Sequence, residues 1–186
     1  MTLTPAQASD AIRKALPEFS TQKVALSEAC GRILRQAVVA ERDQPPFDRV
    51  TMDGIALRFD AWRNGLRKFR VQGTQHAGDP VQVLSDEGNC IEIMTGAVLP
   101  GKSDCVIPVE RIVVSGSTAT VEKDYVASLR QFVHPQGSDH RKGQRLLDSG
   151  TAISPMDIAI IASCGLPEVS VSSRPISAPD SPTASR

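Results

Sequence analysis

Residues Pro45 to Ala56 read PPFDRVTMDGIA, and this stretch decides how we interpret the rest of the chain. Proline cannot continue a helix and fixes its own φ, so the paired prolines predict a segment that enters as extended chain. Asp53 stands before Gly54, the residue type that turns most freely, so we expect its carboxylate on a bend. We expect any chemistry to lie near Asp53. The alternative is a turn aspartate that bonds its own backbone.

The composition is globular and carries no bias toward nucleic acid. The chain has 186 residues with 21 basic and 21 acidic side chains, so no excess positive charge is available to neutralise phosphates. Hydrophobic residues make up 40% and aromatic residues 4%, which predicts a core of Val, Ile, Leu and Ala. This length suits one large domain or two small ones and is sufficient to bury a core.

The four cysteines predict a protein of a reducing compartment. Cys30, Cys90, Cys105 and Cys164 form no C-x-x-C pair, and their spacing fits neither a zinc site nor a compact disulfide framework. We therefore expect reduced thiols in the core or in strands, and a cytoplasmic protein. The first residues lack the pattern of a signal peptide, and no stretch approaches the roughly 18 apolar residues of a membrane span.

Capping and turn signals divide the chain into short elements. Thr4 opens a capping box that predicts a helix before Pro17, and Ser154 opens another that predicts a helix closed by Gly165. Ser27 is predicted to cap a short helical turn, and residues 62–65 to form a loop. Strands are predicted at 33–40, 69–71, 81–84, 90–94, 105–108, 112–114, 119–121 and 168–172.

Four stretches carry motifs that together resemble one family. LSEACGRIL at 26–34 is similar to L-x-x-A-x-G-R-V-L, and the opening stretch to P-P-F-D-x-S-x-M-D-G-Y-A. IMTGAVLPGKSDCVIPVE at 93–110 is similar to T-G-A-P-L-P-x-G-A-D-x-V-V-x-x-E, and the segment 137–175 to G-x-D-x-x-x-G-x-x-L-L followed by a capped helix, a strand and Arg-Pro. In this order they resemble the N-terminal half of the molybdopterin molybdotransferases, the MoeA family related to the E domain of gephyrin.

The resemblance implies a mainly β fold with a few helices (α+β). In this fold an elongated domain made of two chain segments carries an inserted β-rich domain of coiled or bifurcated sheets. We accordingly expect an N-terminal helix at 1–20, the elongated domain at 21–44 plus 138–176, and the inserted domain at 45–137. The residues 177–186, rich in Ser, Pro and Ala, are expected to form a disordered tail.

The resemblance also implies an activity. Family members transfer molybdate onto the dithiolene of adenylated molybdopterin and release AMP, with Mg²⁺ as cofactor. They are homodimers, and the active site lies between the inserted domain of one subunit and a later α/β domain of the other. The T-G-D/N-E-L run of the family is not found after Arg174-Pro175, so we expect this chain to lack that pterin-binding domain. We therefore expect a homodimer or pairing with a full-length homologue, a small-molecule substrate, and neither nucleic acid nor membrane as partner.

Five residues receive roles from the resemblance. Asp53, Thr95 and Asp139 match the family's acid of M-D-G, threonine of T-G-A and acid of G-x-D, which implies catalytic roles for all three. Asp53 and Asp139 are the expected metal ligands, since Mg²⁺ binds through one or two carboxylates. The hydroxyl of Thr95 and the amides of Gly96 and Ala97 are expected to bind the anionic cofactor. Alternatives stay open: Thr95 as a strand-end residue that satisfies a turn, and Asp139 as a surface loop acid.

Other polar residues near these motifs have simpler interpretations as turn, strand-end or loop groups. This set consists of Asp104, Glu110, His134 and His140. The sequence also departs from the family at Val98, where proline is usual, at Arg49, where asparagine is common, and at Ile55, where tyrosine is usual. Two further functions stay open: a non-catalytic dimerisation or scaffold module, and a truncated inactive gene product, suggested by the loss of family pattern after residue 175.

Overall fold

The computed structural model of this protein describes residues 4–16 and 19–174. The described chain is mainly β, with three α-helices, as the resemblance implies. It divides into two compact units, one made of residues 1–39 and 145–186 and the other of residues 40–144. These limits lie a few residues outside those expected for the inserted domain, and the tail predicted at 177–186 lies outside the described residues.

The elements follow one another in short steps. The helices are α1 (Pro5–Ala15), α2 (Phe59–Arg63) and α3 (Pro155–Ser163), with 3-10 turns at Leu26–Glu28 and Val109–Arg111. The strands are β1 (Thr21–Ala25), β2 (Val38–Val39), β3 (Arg49–Val50), β4 (Gly54–Leu57), β5 (Lys68–Gln75), β6 (Asn89–Ile93), β7 (Cys105–Pro108), β8 (Ile112–Ser115), β9 (Thr118–Val121), β10 (Val133–His134), β11 (Arg145–Leu147) and β12 (Glu168–Ser172). None of these helices combines the length and apolarity needed to cross a membrane.

The two-segment unit is held by strands from distant parts of the chain. Strand β1 pairs antiparallel with β12, and β2 pairs antiparallel with β11. Both predicted capping boxes form at the helices of this unit, with Thr4 capping α1 and Ser154 capping α3. The core beneath α3 is aliphatic, as predicted, and its largest fully buried members are Leu34, Ile153 and Ile161.

The second unit contains a six-stranded sheet of order β7-β4-β6-β5-β9-β8. Only β5 and β6 run parallel; the other neighbours are antiparallel. A smaller sheet pairs β3 with β10. Strand β4 lies between β6 and β7, and all four of its residues are buried. The stretch 45–56 therefore ends inside the main sheet of this unit.

The prediction of a strand at 81–84 is wrong, because no strand forms there. Only Val83 makes a β-bridge there, to Gly101. Glutamine side chains of β5 take the place of a paired strand: Gln72 Nε2 donates to the Val83 carbonyl at 2.9 Å, and Gln75 Oε1 accepts from the Gln82 amide at 2.7 Å. A sequence pattern that reports side-chain hydrophobicity does not reveal backbone bonds to side chains.

The strand predicted at 33–40 is reduced to β2. The first residues of the predicted strand bond alternately to two different segments. Leu34 donates to the Thr151 carbonyl at 2.9 Å, and Arg35 donates to the Ser170 carbonyl at 2.8 Å. Since the partner changes at each residue, no continuous ladder forms. The segment is instead extended chain between two neighbours.

Two smaller local predictions are also wrong. Residues 62 and 63 belong to helix α2 rather than to a loop. This helix is stabilised by aromatic contacts, because the Phe59 and Trp62 rings stack at 5.6 Å and the Arg67 guanidinium lies 4.5 Å from the centre of the Trp62 ring. The helical turn near Ser27 forms, but as a 3-10 turn after Ala25 and without a side-chain cap.

Candidate functional site

Gly54 is required by close packing rather than by a turn. Bends occur at residues 52 and 53, and Gly54 already lies in β4, outside the left-handed region of φ. A Cβ placed on it would come within 1.9 Å of the Ile107 carbonyl oxygen of the neighbouring strand β7. The expectation of a freely turning glycine is therefore wrong. The residue instead lets two backbones approach directly after Asp53.

The approach to this site also differs from the extended chain that the prolines predict. Residues 45–47 form bends, and the Pro45 carbonyl accepts from the Gly137 amide at 2.9 Å. The chain becomes a strand only at β3.

Asp53 is fixed by Thr95. The Asp53 Oδ1 atom accepts from both the backbone N–H and the hydroxyl of Thr95, each at 2.7 Å. Both side chains are exposed, and the hydroxyl and then the amide of Thr95 lower the pKa of Asp53 below its ordinary value. The carboxylate is therefore ionised at neutral pH. Among the hydrogen bonds of the described chain, none engages its second oxygen, Oδ2.

Strand β3 connects the segments that carry the site residues. Along one edge, Val50 donates to the Ala97 carbonyl and accepts from the Gly96 amide, each at 2.9 Å. Along the other edge, β3 pairs with β10, and the Thr51 amide donates to the Phe132 carbonyl at 3.0 Å. Strand β3 and the Thr51 residue that follows it thus hold the loop that carries Thr95 on one side and the segment that leads to Asp139 on the other.

The amides of Gly96 and Ala97 are already bonded within the chain. Gly96 donates to the Val50 carbonyl at 2.9 Å, and Ala97 donates to the Met94 carbonyl at 3.1 Å. Gly96 adopts a φ of +89°, which favours glycine at this turn, and Ala97 is fully buried. An anion would have to displace backbone carbonyls to use these donors, so their role as cofactor-binding residues stays a prediction.

Asp139 lies in a second polar cluster. Its Oδ1 atom is 2.9 Å from His134 Nε2, and the other ring nitrogen of His134 is 3.2 Å from the Arg49 guanidinium. The Asp139 backbone amide donates to the Gln44 carbonyl at 2.9 Å. Within the described chain, no hydrogen bond links Asp139 directly to Asp53 or Thr95. His134 is therefore a bonded partner of a predicted site acid, which its interpretation as a plain loop histidine missed.

Two further aspartates hold the segment that leads to Asp139, and sequence reasoning gave them no role. Asp48 accepts from the Arg130 guanidinium at 2.7 Å and from the Gln136 amide at 2.9 Å. Asp43 accepts from the Lys142 amide at 2.8 Å and from the Gln136 side chain at 2.9 Å. The pKa of each is lowered, for Asp48 chiefly by Arg130 and for Asp43 chiefly by the Lys142 amide. The aspartate of the P-P-F-D motif is thus a loop anchor.

Asp104 likewise has a structural partner. Its Oδ1 atom accepts from the backbone amide of Phe59, the first residue of α2, at 2.6 Å. This contact fits the predicted role as a turn group.

A cavity adjoins Asp53. It has a volume of about 390 Å³, and Asp53 and Glu92 supply its acidic lining. Apolar side chains form most of the remaining wall, among them Val71, Val109 and Ile112. The Glu92 carboxylate accepts from the Thr74 hydroxyl at 2.8 Å. The Asp53 carboxylate therefore stands at the edge of a space large enough for part of a small molecule.

The residues present are compatible with a Mg²⁺ ion that completes its ligand shell from elsewhere. Among residues 4–16 and 19–174, no three His, Cys, Asp or Glu side chains form a group that would hold a metal alone. Mg²⁺ does not need such a group, since it is commonly held by one or two carboxylates together with water and substrate phosphates. The exposed, ionised Asp53 carboxylate with one open oxygen suits that arrangement.

Comparison with known proteins points to one family. The family model described as the MoeA N-terminal region (domain I and II) matches residues 3–165. The molybdopterin molybdenumtransferase of Synechocystis sp. is 35% identical over 93% of this chain, and that of Haemophilus influenzae is 30% identical over 90%. The chain spans only 44% and 41% of the length of these two relatives.

Solved structures agree with the sequence comparison. Two structures of the molybdopterin biosynthesis MoeA protein from Pyrococcus horikoshii superpose with TM-scores of 0.78 and 0.74, at 27% and 31% sequence identity. They cover 94% and 82% of this chain, and the chain covers 45% and 41% of theirs. The similarity therefore extends over both units of the described chain.

Proposed function

Because the chain belongs to the family of the MoeA N-terminal region (domain I and II), we propose that it forms one wall of a site that inserts molybdenum into adenylated molybdopterin. The resemblance read from the sequence is confirmed at the level of family and fold. The relatives carry the name molybdopterin molybdenumtransferase, which supports a transferase of molybdenum cofactor biosynthesis. The substrates proposed here are molybdate and adenylated molybdopterin, with AMP released.

The single observation that supports this function most directly is the fixed carboxylate of Asp53. Thr95 holds one of its oxygens with two bonds of 2.7 Å, which leaves the other oxygen directed by the same geometry and free to bind. The carboxylate is ionised and exposed, and it lines the 390 Å³ cavity. A preorganised anion of this kind is suited to hold a metal ion or to orient an attacking group.

Asp53 is the proposed Mg²⁺ ligand, with Asp139 as the second candidate. A bound Mg²⁺ would supply charge neutralisation at the phosphate of the substrate. In the chain itself, Thr95 orients Asp53, and His134 contacts Asp139. Thr95 and the 95–97 turn are proposed to face the anionic part of the substrate.

We further propose that the protein is a homodimer and that it lies in the cytoplasm. The free cysteines Cys30, Cys90, Cys105 and Cys164 support a reducing compartment. Helix α1 buries none of its residues, and Ile12 on the helix and Leu16 at its C-cap are 63% and 57% exposed, which supports association through a further surface. Sedimentation velocity at micromolar concentration tests the dimer, and a monomer throughout that range would contradict it.

The function is tested by AMP release and by binding. The purified chain and a full-length relative in which the aspartate matching Asp53 is replaced by Asn are mixed with adenylated molybdopterin, molybdate and Mg²⁺. AMP is quantified by chromatography, and binding of adenylated molybdopterin to the mixture is measured by calorimetry. Replacing Asp53 by Asn removes the charge but keeps the shape, and it should lower AMP release by about 10- to 100-fold. If the unaltered chain supports no AMP release and no binding of adenylated molybdopterin, the proposal is overturned.

Asp157 offers a matched control for that substitution. Its Oδ2 atom accepts from the amide and the hydroxyl of Ser154 at 2.8 and 2.7 Å, the same pattern that Thr95 provides for Asp53. Asp157 belongs to the cap of α3 in the other unit. Asp157→Asn should therefore leave AMP release per folded molecule unchanged. An equal loss in both variants would mean that Asp53 acts only through stability.

A further inference from the structure

We infer that His134 is a positioning residue for Asp139, and that Arg49 fixes the orientation and tautomer of the His134 ring. This inference rests on the proposed function only in assuming that Asp139 takes part in the reaction. The geometry itself is independent of that assumption. It consists of a line of three side chains, Arg49, His134 and Asp139, with contacts of 3.2 and 2.9 Å.

Backbone pairing sets the first contact. In the antiparallel pair of β3 and β10, Arg49 stands directly opposite His134. Side chains at directly opposed positions lie on the same face of a sheet and within reach of each other. Arg49 also makes a bridge to Val98 in the segment that follows Thr95. The Arg49 backbone is thus held on both sides, and its guanidinium reaches His134 Nδ1 from a fixed base.

Hydrogen-bond chemistry then decides the tautomer. A guanidinium has only donors, so the His134 Nδ1 atom that it contacts at 3.2 Å must be the acceptor. The ring proton is therefore on Nε2. That N–H donates to Asp139 Oδ1 at 2.9 Å. Arg49 thereby ensures that His134 presents a donor, and not a lone pair, to the carboxylate.

These contacts fix the position of the Asp139 carboxylate. Its backbone amide is tied to the Gln44 carbonyl at 2.9 Å, and its Oδ1 atom is occupied by His134. In the part of the chain that the structure describes, Oδ2 has no hydrogen-bond partner, and 48% of the side chain is exposed. Asp139 therefore has one oxygen fixed and one oxygen open. This is the arrangement that Thr95 gives to Asp53, built from different residues.

Sequence patterns point away from this role, because Arg49 replaces a common asparagine of the family motif and His134 fits no metal spacing. The two residues are explained together once their pairing is known. A partner that orients a carboxylate typically changes metal affinity or activity by about 10- to 100-fold when it is removed.

Two substitutions of His134 separate its two bonds. His134→Gln keeps an N–H donor at the distance of Nε2, whereas His134→Asn keeps an acceptor near Nδ1 for Arg49 but does not reach Asp139. We expect His134→Asn to lower kcat for AMP release about tenfold with KM for adenylated molybdopterin within about twofold, and His134→Gln to restore most of kcat. Equal loss in both variants, or no loss in either, would overturn the positioning role.

A spectroscopic test is independent of activity. Long-range ¹H–¹⁵N correlation spectra of the unaltered chain at neutral pH report which nitrogen of each histidine carries the proton. We expect His134 as the Nε2–H tautomer. The Nδ1–H tautomer, or an equal mixture, would overturn the inference even if the chain transfers molybdenum. If the chain releases no AMP but His134 shows the expected tautomer, the geometric part stands, whereas the proposed function and the positioning role in it both fail.

Discussion

Asp53 and Thr95 are 42 residues apart in sequence, and one carboxylate oxygen of Asp53 accepts both the amide and the hydroxyl of Thr95 at 2.7 Å. The same pattern joins Asp157 to Ser154, where it caps a helix. In the cap, the two residues are three apart and the bonds stabilise local structure. Between Asp53 and Thr95, the bonds link two segments and hold an exposed carboxylate at a cavity. The surroundings, not the pattern, distinguish a cap from a candidate site.

The hydroxyl of Thr95 should control the pKa of Asp53. Thr95→Val removes the hydroxyl, which is the largest cause of the lowered pKa, and retains the amide. Because that bond favours the ionised form, its loss should raise the pKa of Asp53 toward its ordinary value. The measurement is an NMR titration of the Asp53 carboxyl carbon. Thr95→Ser keeps the hydroxyl and should leave the pKa nearly unchanged; an equal rise in both variants would contradict this assignment.

Gly54 should tolerate no side chain. In Gly54→Ala the new Cβ would stand 1.9 Å from the Ile107 carbonyl oxygen, which is backbone and does not move aside without loss of the pairing between β4 and β7. We expect the free energy of unfolding, measured in urea, to fall by about 3 kcal/mol or more.

Gly88 provides the comparison for this substitution. A Cβ there would be 3.2 Å from Asp86 Oδ1, the end of a side chain that adjusts. Gly88→Ala should cost about 1 kcal/mol or less. Similar losses at the two positions would show that the β4–β7 approach is not the reason for glycine at 54.

The Asp48–Arg130 pair should make stability depend on pH in the acid range. The folded pKa of Asp48 is lowered, so its contribution is present above about pH 4, the ordinary aspartate value, and is lost as the pH falls through the lower folded value. The pair is partly exposed, with 34% of the Asp48 side chain accessible, so Asp48→Asn should cost about 0.5–1 kcal/mol at pH 7. Urea unfolding at pH 7, 5 and 3 should show a smaller pH dependence in the variant.

Asp148 is the control for the pH experiment, because it pairs with Arg145 while 72% of its side chain is exposed. Asp148→Asn should preserve both the stability at pH 7 and its fall toward pH 3. If Asp48→Asn retains the full fall, the lowered pKa of Asp48 is not a source of acid sensitivity.

The cysteines should differ sharply in reactivity. Burial raises the pKa of Cys90 and of Cys105 to about 12, so about one thiol in 10⁴ is ionised at pH 8, and access is blocked as well. Iodoacetamide at pH 8 should modify the exposed Cys30 in the folded protein and leave Cys90 and Cys105 unmodified. Peptide mass spectrometry gives the result, and unfolding in urea should make all sites reactive. Rapid modification of Cys90 in the native state would mean that β6 opens.

Local sequence patterns predict much of the fold. The capping boxes at Thr4 and Ser154 give the starts of α1 and α3 because the bonding residues are three apart. The strands β7 and β12 match their predicted limits: a turn signal at 100–104 precedes β7, and the residues of β12 alternate between buried and more accessible positions. Where backbone groups bond to distant side chains, as Val83 does to Gln72, local patterns predict a ladder that is not there.

The sequence by itself determined the family, the aliphatic core, the capped helices and the identity of Asp53, Thr95 and Asp139 as candidates, since each of these is a property of residue type and local spacing. Only the tertiary structure decided which groups meet: Thr95 with Asp53, and Arg49 with His134 and Asp139. It also decided that Gly54 serves close packing rather than a turn. The physical reason is that these contacts depend on strand register and hydrogen-bond direction between segments far apart in the chain, and no local pattern encodes either.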